Sequence, residues 1–154
     1  MRIKLLASAV PLLLAGIVAG GEFSSNVQPC ISLGGASLQI ATAPWQHQFH
    51  VSFTEDRAAS TVRVQIVDRP EFADFTVIDD INTADAESCS AAGGIKYVSV
   101  APHASAEEPV IYLSPEGGAD FRIFVRSRVF SIQDAAALVV GANRAVTTQR
   151  TAAL

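Results

Sequence analysis

The stretch DRPEFADF, Asp68 to Phe75, returns as SPEGGADF, Ser114 to Phe121. In each copy a residue type suited to a helix N-cap, Asp68 or Ser114, precedes Pro-Glu, and the copy closes on Ala-Asp-Phe. A proline at the first helical position with an acid beside it, near the positive end of the turn dipole, marks a single helical turn. Apolar strand residues flank both stretches. The intervening residues, 68–74 and 114–120, fall well short of the roughly dozen that a parallel crossover takes, so both connections are expected to close antiparallel hairpins. Asp74 and Asp120 then stand at strand entry as structural turn residues, their carboxylates accepting hydrogen bonds from backbone N–H groups of the turn.

Pairing Leu113 with Phe121 sets Ile111 opposite Ile123 on one face and Tyr112 opposite Arg122 on the other, so the faces segregate. The first copy segregates less cleanly, because Phe75 and Val77 share parity with Arg63 and Gln65 as well as Val67; a buried strand or a bulge would account for that. A third stretch of the same length, TEDRAAS from Thr54 to Ser60, gives mismatched faces and reads as accidental. Copies about 45 residues apart would suit propeller blades, but too few fit in this chain to close a ring, so the repeat reads as local turn chemistry.

Alternation of apolar and polar residues, the mark of half-buried strands, recurs outward from these turns. Trp45, Phe49, Val51 and Phe53 share one face, as do Val62, Val64 and Ile66. Further strands are expected at 37–41, 75–78, 95–100, 110–113 and 121–129. One helix follows, Ile132 to Val140, with Ser131 at the N-cap, Asp134 completing a capping box and Gly141 closing the C-terminus. Its Ala135–Val140 run is apolar enough to pack on a sheet face. The expected fold is α+β and mostly β: a meander of antiparallel hairpins with one C-terminal helix packed on it.

The chain opens with Arg2 and Lys4 ahead of an apolar run, Leu5 to Val18, and small residues at Ala19, Gly20 and Gly21. That is the pattern of a cleaved signal peptide over 1–20, and a periplasmic or secreted location follows, with no stable membrane anchor after cleavage. The run is too short, and too interrupted by Pro11, for the roughly 20 residues that span a bilayer. A single domain is expected over 21–142 and a loose tail over 143–154. Of the two cysteines, Cys30 and Cys89, an oxidising compartment makes one bridge, closing about 60 residues and stabilising by roughly 4 kcal/mol in the chain-entropy model. The Ala-, Ser- and Gly-rich segment 82–94 reads as a loop that Cys89 ties down.

Removing Arg2 and Lys4 from eleven basic residues leaves nine against fifteen acidic ones, which disfavours nucleic acid as a partner. The chain lacks a nucleophile elbow, a zincin motif, a phosphate loop and a dinucleotide fingerprint. His47 and His50 lie three apart, on opposite faces of a strand, and the acids of Asp79–Glu87 lack calcium-loop spacing, so neither a metal site nor a cofactor is expected. Along Phe121–Val129 one face carries Arg122, Phe124, Arg126 and Arg128, and the other Phe121, Ile123, Val125 and Val129. With Tyr112 beside it, that basic strip is the candidate contact for a protein or anionic envelope component. The expected role is a small exported, non-catalytic interaction module; a small-ligand binding domain comes second and a hydrolase with a dispersed site third.

Overall fold

A computed structural model describes residues 30–33, 36–43, 45–46, 48–79 and 94–151. Eight strands, β1 (Ile31–Leu33), β2 (Ala36–Ile40), β3 (Phe49–Phe53), β4 (Val62–Ile66), β5 (Phe75–Ile78), β6 (Ile95–Ala101), β7 (Val110–Ser114) and β8 (Phe121–Arg126), precede one helix, α1 (Ile132–Thr151). They form one curled sheet in the order β1-β2-β6-β3-β7-β4-β8-β5. Among the described strands only β1 and β2 pair antiparallel; every other neighbouring pair is parallel.

The antiparallel meander is therefore corrected, and the reason is stagger. Leu113, which leaves β7, and Phe121, which enters β8, both lie level with Val64 of β4, one on each side of it. The same holds at the four other crossovers that link β2 to β5 and β6 to β8. Ile40 and Phe49 flank Val98, Ala101 and Val110 flank Ser52, Phe53 and Val62 flank Ile111, and Ile66 and Phe75 flank Ile123. Each of these five connections steps sideways over one intervening strand, a distance of about 10 Å at ordinary strand spacing, without returning along the sheet. The dozen-residue rule assumes that return. Two arms, β2 to β5 and β6 to β8, interleave as a result.

Backbone bonds tie the exits down in register: the N–H groups of Ala41, Thr54 and Val67 donate to the carbonyls of Val98, Ile111 and Ile123 at 2.8, 2.9 and 3.0 Å. TEDRAAS is thus a true member of the crossover series, its 3-10 turn at Arg57–Ala59 capped by Asp56. DRPEFAD makes the expected single turn at Pro70–Phe72, with Arg69 rather than Asp68 at the N-cap. Ser114 ends β7, and its hydroxyl donates to the Glu116 carbonyl in place of a helical turn.

The inner face of the sheet carries Leu38, Val51, Val64, Val77, Val98, Ile111 and Ile123, all buried. Helix α1 fills the curl. Ala135–Val140 and Ala142 are each 4% exposed or less, and at 100° per residue this stretch turns every side of the helix into the core. The helix contacts β1, β2, β3, β4, β6 and β8, so the sheet wraps it instead of offering it one face. Its start is the capping box read from the sequence: Ser131 N–H donates to Asp134 Oδ2 (3.1 Å) and Asp134 N–H to Ser131 Oγ (3.0 Å). Its end is not at Gly141. There a Cβ would stand 2.6 Å from Val98 Cγ2, so the glycine serves a close approach to β6, and the helix runs on through Thr151. The segment expected to be a loose tail is helical over its described part.

Candidate functional site

At three successive steps across the sheet, the residue before a strand grips its neighbour twice. Thr61, before β4, donates its N–H to the Val110 carbonyl and accepts the Val110 N–H on Oγ1, both at 2.9 Å. Asp120, before β8, donates to the Arg63 carbonyl and accepts the Arg63 N–H on Oδ2, both at 2.8 Å. Asp74, before β5, does the same with Arg122, again at 2.8 Å each. The carboxylates reach the neighbouring strand, where the sequence pointed to N–H groups of their own turn. A strand that starts later than its neighbour leaves that neighbour's N–H without a backbone acceptor, and a short polar side chain supplies one.

Asp74 also takes the Arg122 guanidinium, Nη2 at 2.7 Å from Oδ1 and Nε at 3.2 Å from Oδ2. These bonds, the side-chain ones first, lower the Asp74 carboxyl below the ordinary range, and the same pair raises Arg122. Asp79, after β5, accepts from Arg128 N–H (2.5 Å) and from the Ser127 hydroxyl, and is likewise lowered. Because both folded-state values lie below the unfolded ones, their stabilisation is present above the ordinary carboxyl pKa, near 4, and is lost as pH falls through the lower folded values. Asp120→Ala is expected to lower stability by about 1 kcal/mol, read as a shifted denaturant midpoint at unchanged slope; an unmoved midpoint would deny the latch any structural weight.

These latches decide what the basic strip offers. Arg122, Phe124 and Arg126 do lie on the outer face of β8, and Phe121, Ile123 and Val125 face the core. Arg122, however, is engaged by Asp74. Tyr112 is level with Arg63 of β4 instead of Arg122, because β4 lies between β7 and β8. Arg63 thereby joins the outer face, a residue the sequence reading passed over because its strand was not known to adjoin β8. Phe124 is half-buried beside Thr76, and Arg126 stands level with Ile78, which is 47% exposed. Arg128 and Val129 lie beyond the end of β8, Arg128 exposed with its N–H on Asp79, and Val129 56% exposed, not on the core face. Trp45 likewise leaves its expected face: it sits in the β2–β3 crossover, 84% exposed.

Clefts open elsewhere among the described residues. One of about 320 Å³ is lined by Gln48, Phe49, His50, Ser105, Glu107, Glu108 and Arg144, with Arg144 Nη2 donating to the Glu107 carbonyl at 2.7 Å. The other, of about 260 Å³, opens between the sheet's two edges, β1 and β5, above Val139. His50 is half-buried and His103 exposed, while His47 and Cys89 lie outside the described residues. Among the described residues no group of three or more His, Cys, Asp or Glu side chains could hold a metal ion, and no helix is long and apolar enough to cross a membrane. The chain matches no family model, no curated protein and no solved structure.

Proposed function

We propose that this is a small exported, non-catalytic interaction module that meets an anionic protein or envelope component through the outer face of β8 and β5. One observation carries the reading: Arg126 and Ile78 lie level on that face, with Phe124 and Thr76 one step before them, so charge and apolar surface adjoin on rigid strands. Among the described residues, α1 occupies the curl that an open barrel would offer a ligand. Arg126 and Arg128 are the cations at the centre of the contact; Arg122, held by Asp74, shapes the face. Export rests on the Arg2–Val18 pattern, and it carries the Cys30–Cys89 bridge with it.

Reversing both charges, Arg126→Glu with Arg128→Glu, is expected to abolish capture of the partner that the wild type retains from envelope extracts. The melting temperature should hardly move, since exposed charges each contribute under about 1 kcal/mol. Rising salt should weaken the wild-type contact, with screening over about 10 Å at 0.1 M. Undiminished capture by the double variant would retire the strip. The same preparation tests export: the intact mass should show loss of the N-terminus near Gly20 and two hydrogens missing for the bridge, and a full-length reduced chain would contradict it.

A second reading, a small-ligand binding domain, draws on the polar cleft of His50, Glu107, Glu108 and Arg144, which places both charge signs around about 320 Å³. A titration with free amino acids that produced no chemical-shift change at His50 or Arg144 would remove it.

A further inference from the structure

Among the described residues the interleaving has an unfilled place. Each arm re-enters the sheet two strands from where it left, so the arm β6-β7-β8 would next enter on the far side of β5. The chain instead turns at Ser127, held there by Asp79, and becomes α1. Among the described residues the edge of β5 is left facing β1 across a cleft that is apolar at Ile31, Leu33, Phe75, Val77 and Val139 and polar at Ser32, Asp74 and Thr76.

We propose that this seam takes up an extended segment of a partner protein as a ninth strand, parallel to β5. The inference rests on the reading of the protein as an interaction module and names the mode of contact. Three features of the seam specify the segment. First, β5 has a usable edge. Residues of a strand alternate between its two neighbours, and Asp79 N–H donates to the Arg126 carbonyl at 3.4 Å, which assigns Phe75, Val77 and Asp79 to β8. The N–H and C=O of Thr76 and Ile78 are thereby turned to the open side.

Second, the latches define how a strand enters. The gripped N–H groups belong to Val110 on β7, Arg63 on β4 and Arg122 on β8, and each lies two residues further along the sheet than the last. Since Asp74 is level with Arg122, the next position in that series is Thr76 on β5. An incoming strand therefore presents Asp or Thr opposite Thr76 and an apolar residue opposite Val77, above Val139.

Third, charge fixes the outer side. The position opposite Ile78 faces outward with Ile78 between it and the exposed Arg126, and Arg128 lies at the same end of β5, so acidic residues there and beyond it fall within the field of two long cationic side chains. The recognised segment is an extended, acidic one with an Asp-apolar-x-apolar core. Strand addition of this kind takes affinity from main-chain bonds and specificity from alternate side chains.

The test uses the mature protein and a fluorescein-labelled peptide, ADFTVIDD, which has the required pattern and is the sequence of Ala73–Asp80. Saturable binding is expected. Thr76→Pro, which removes an edge N–H while leaving the bonds to β8, should weaken it at least tenfold with the melting temperature held. Peptides N-methylated at alternate residues should lose binding for one parity only, a readout that leaves the protein untouched. Absence of saturable binding, or binding indifferent to Thr76→Pro and to both methylation patterns, would overturn the ninth strand. Tighter binding to the Thr76→Pro protein would mean that the peptide displaces β5, and would overturn it too. Should the Arg126→Glu, Arg128→Glu variant lose its envelope partner while the peptide ignores the β5 edge, the contact face stands and strand addition alone falls.

Discussion

Replacing Gly141 with alanine is expected to destabilise the protein by about 1 to 3 kcal/mol, the reverse of what the exchange does in an ordinary helix. Within a helix, glycine is worse than alanine by roughly 1 kcal/mol, since it loses more backbone freedom on folding. Here the new Cβ would stand 2.6 Å from Val98 Cγ2 and 3.3 Å from Cγ1. Val98 cannot give way easily. It is branched at Cβ, fully buried, and level with Ile40 on one side and Phe49 on the other. Urea denaturation gives the size, and a double-mutant cycle gives the cause: with Val98→Ala in place, the penalty of Gly141→Ala should vanish or change sign. If Gly141→Ala stabilises the wild-type background, α1 does not lie against β6 as described.

Leu138→Ala should be the costlier change, about 3 to 4 kcal/mol, because the side chain is fully buried at the centre of the curl and its removal leaves a cavity that surrounding strands cannot close. A helix lying on one face of a sheet could shift towards the gap. A helix enclosed by strands on several sides has nowhere to move. Substitution of the exposed Gln133 to Ala, in the first turn of the same helix, is the control and should stay within about 0.5 kcal/mol. Equal effects at the two positions would contradict enclosure.

Side-chain direction was legible in the sequence, and strand direction was not. Val62, Val64 and Ile66 face inward as their alternation requires, and Phe121, Ile123 and Val125 do the same on β8. Alternation is identical for parallel and antiparallel neighbours, however, so it left the pairing of Leu113 and Phe121 open. Connection length then pointed the wrong way, since it was weighed without the stagger. A signal for the true arrangement was present. Leu38, Val51, Val64 and Val77 recur every thirteen residues and are all buried, and Val98 and Ile111 keep the same spacing. That period joins strand and crossover into one unit, and it brings TEDRAAS into the series.

The helix shows the same division. Its capping box involves residues three apart and could be read directly, whereas Gly141 looks like a stop unless Val98 is known to lie against it. At the candidate site, Asp74 and Asp120 were recognisable as strand-entry residues from Ala-Asp-Phe, but their partners are 48 and 57 residues away, at Arg122 and Arg63. Local sequence cannot name a partner that only the interleaving brings near. For that reason Arg122 read as a cation open to a partner, and its ion pair with Asp74 narrows the contact face to Arg126, Arg128 and their apolar neighbours.

The interleaved parallel sheet is tested most directly by backbone proton contacts around Val64 in a nuclear Overhauser spectrum of the labelled protein. Val64 should show cross-strand contacts to the neighbourhood of Leu113 on one side and of Phe121 on the other, in the slanted pattern of parallel strands. Direct α-proton contacts between β7 and β8, with Ile111 against Ile123, would be the mark of an antiparallel hairpin and would contradict the fold and every site built on it.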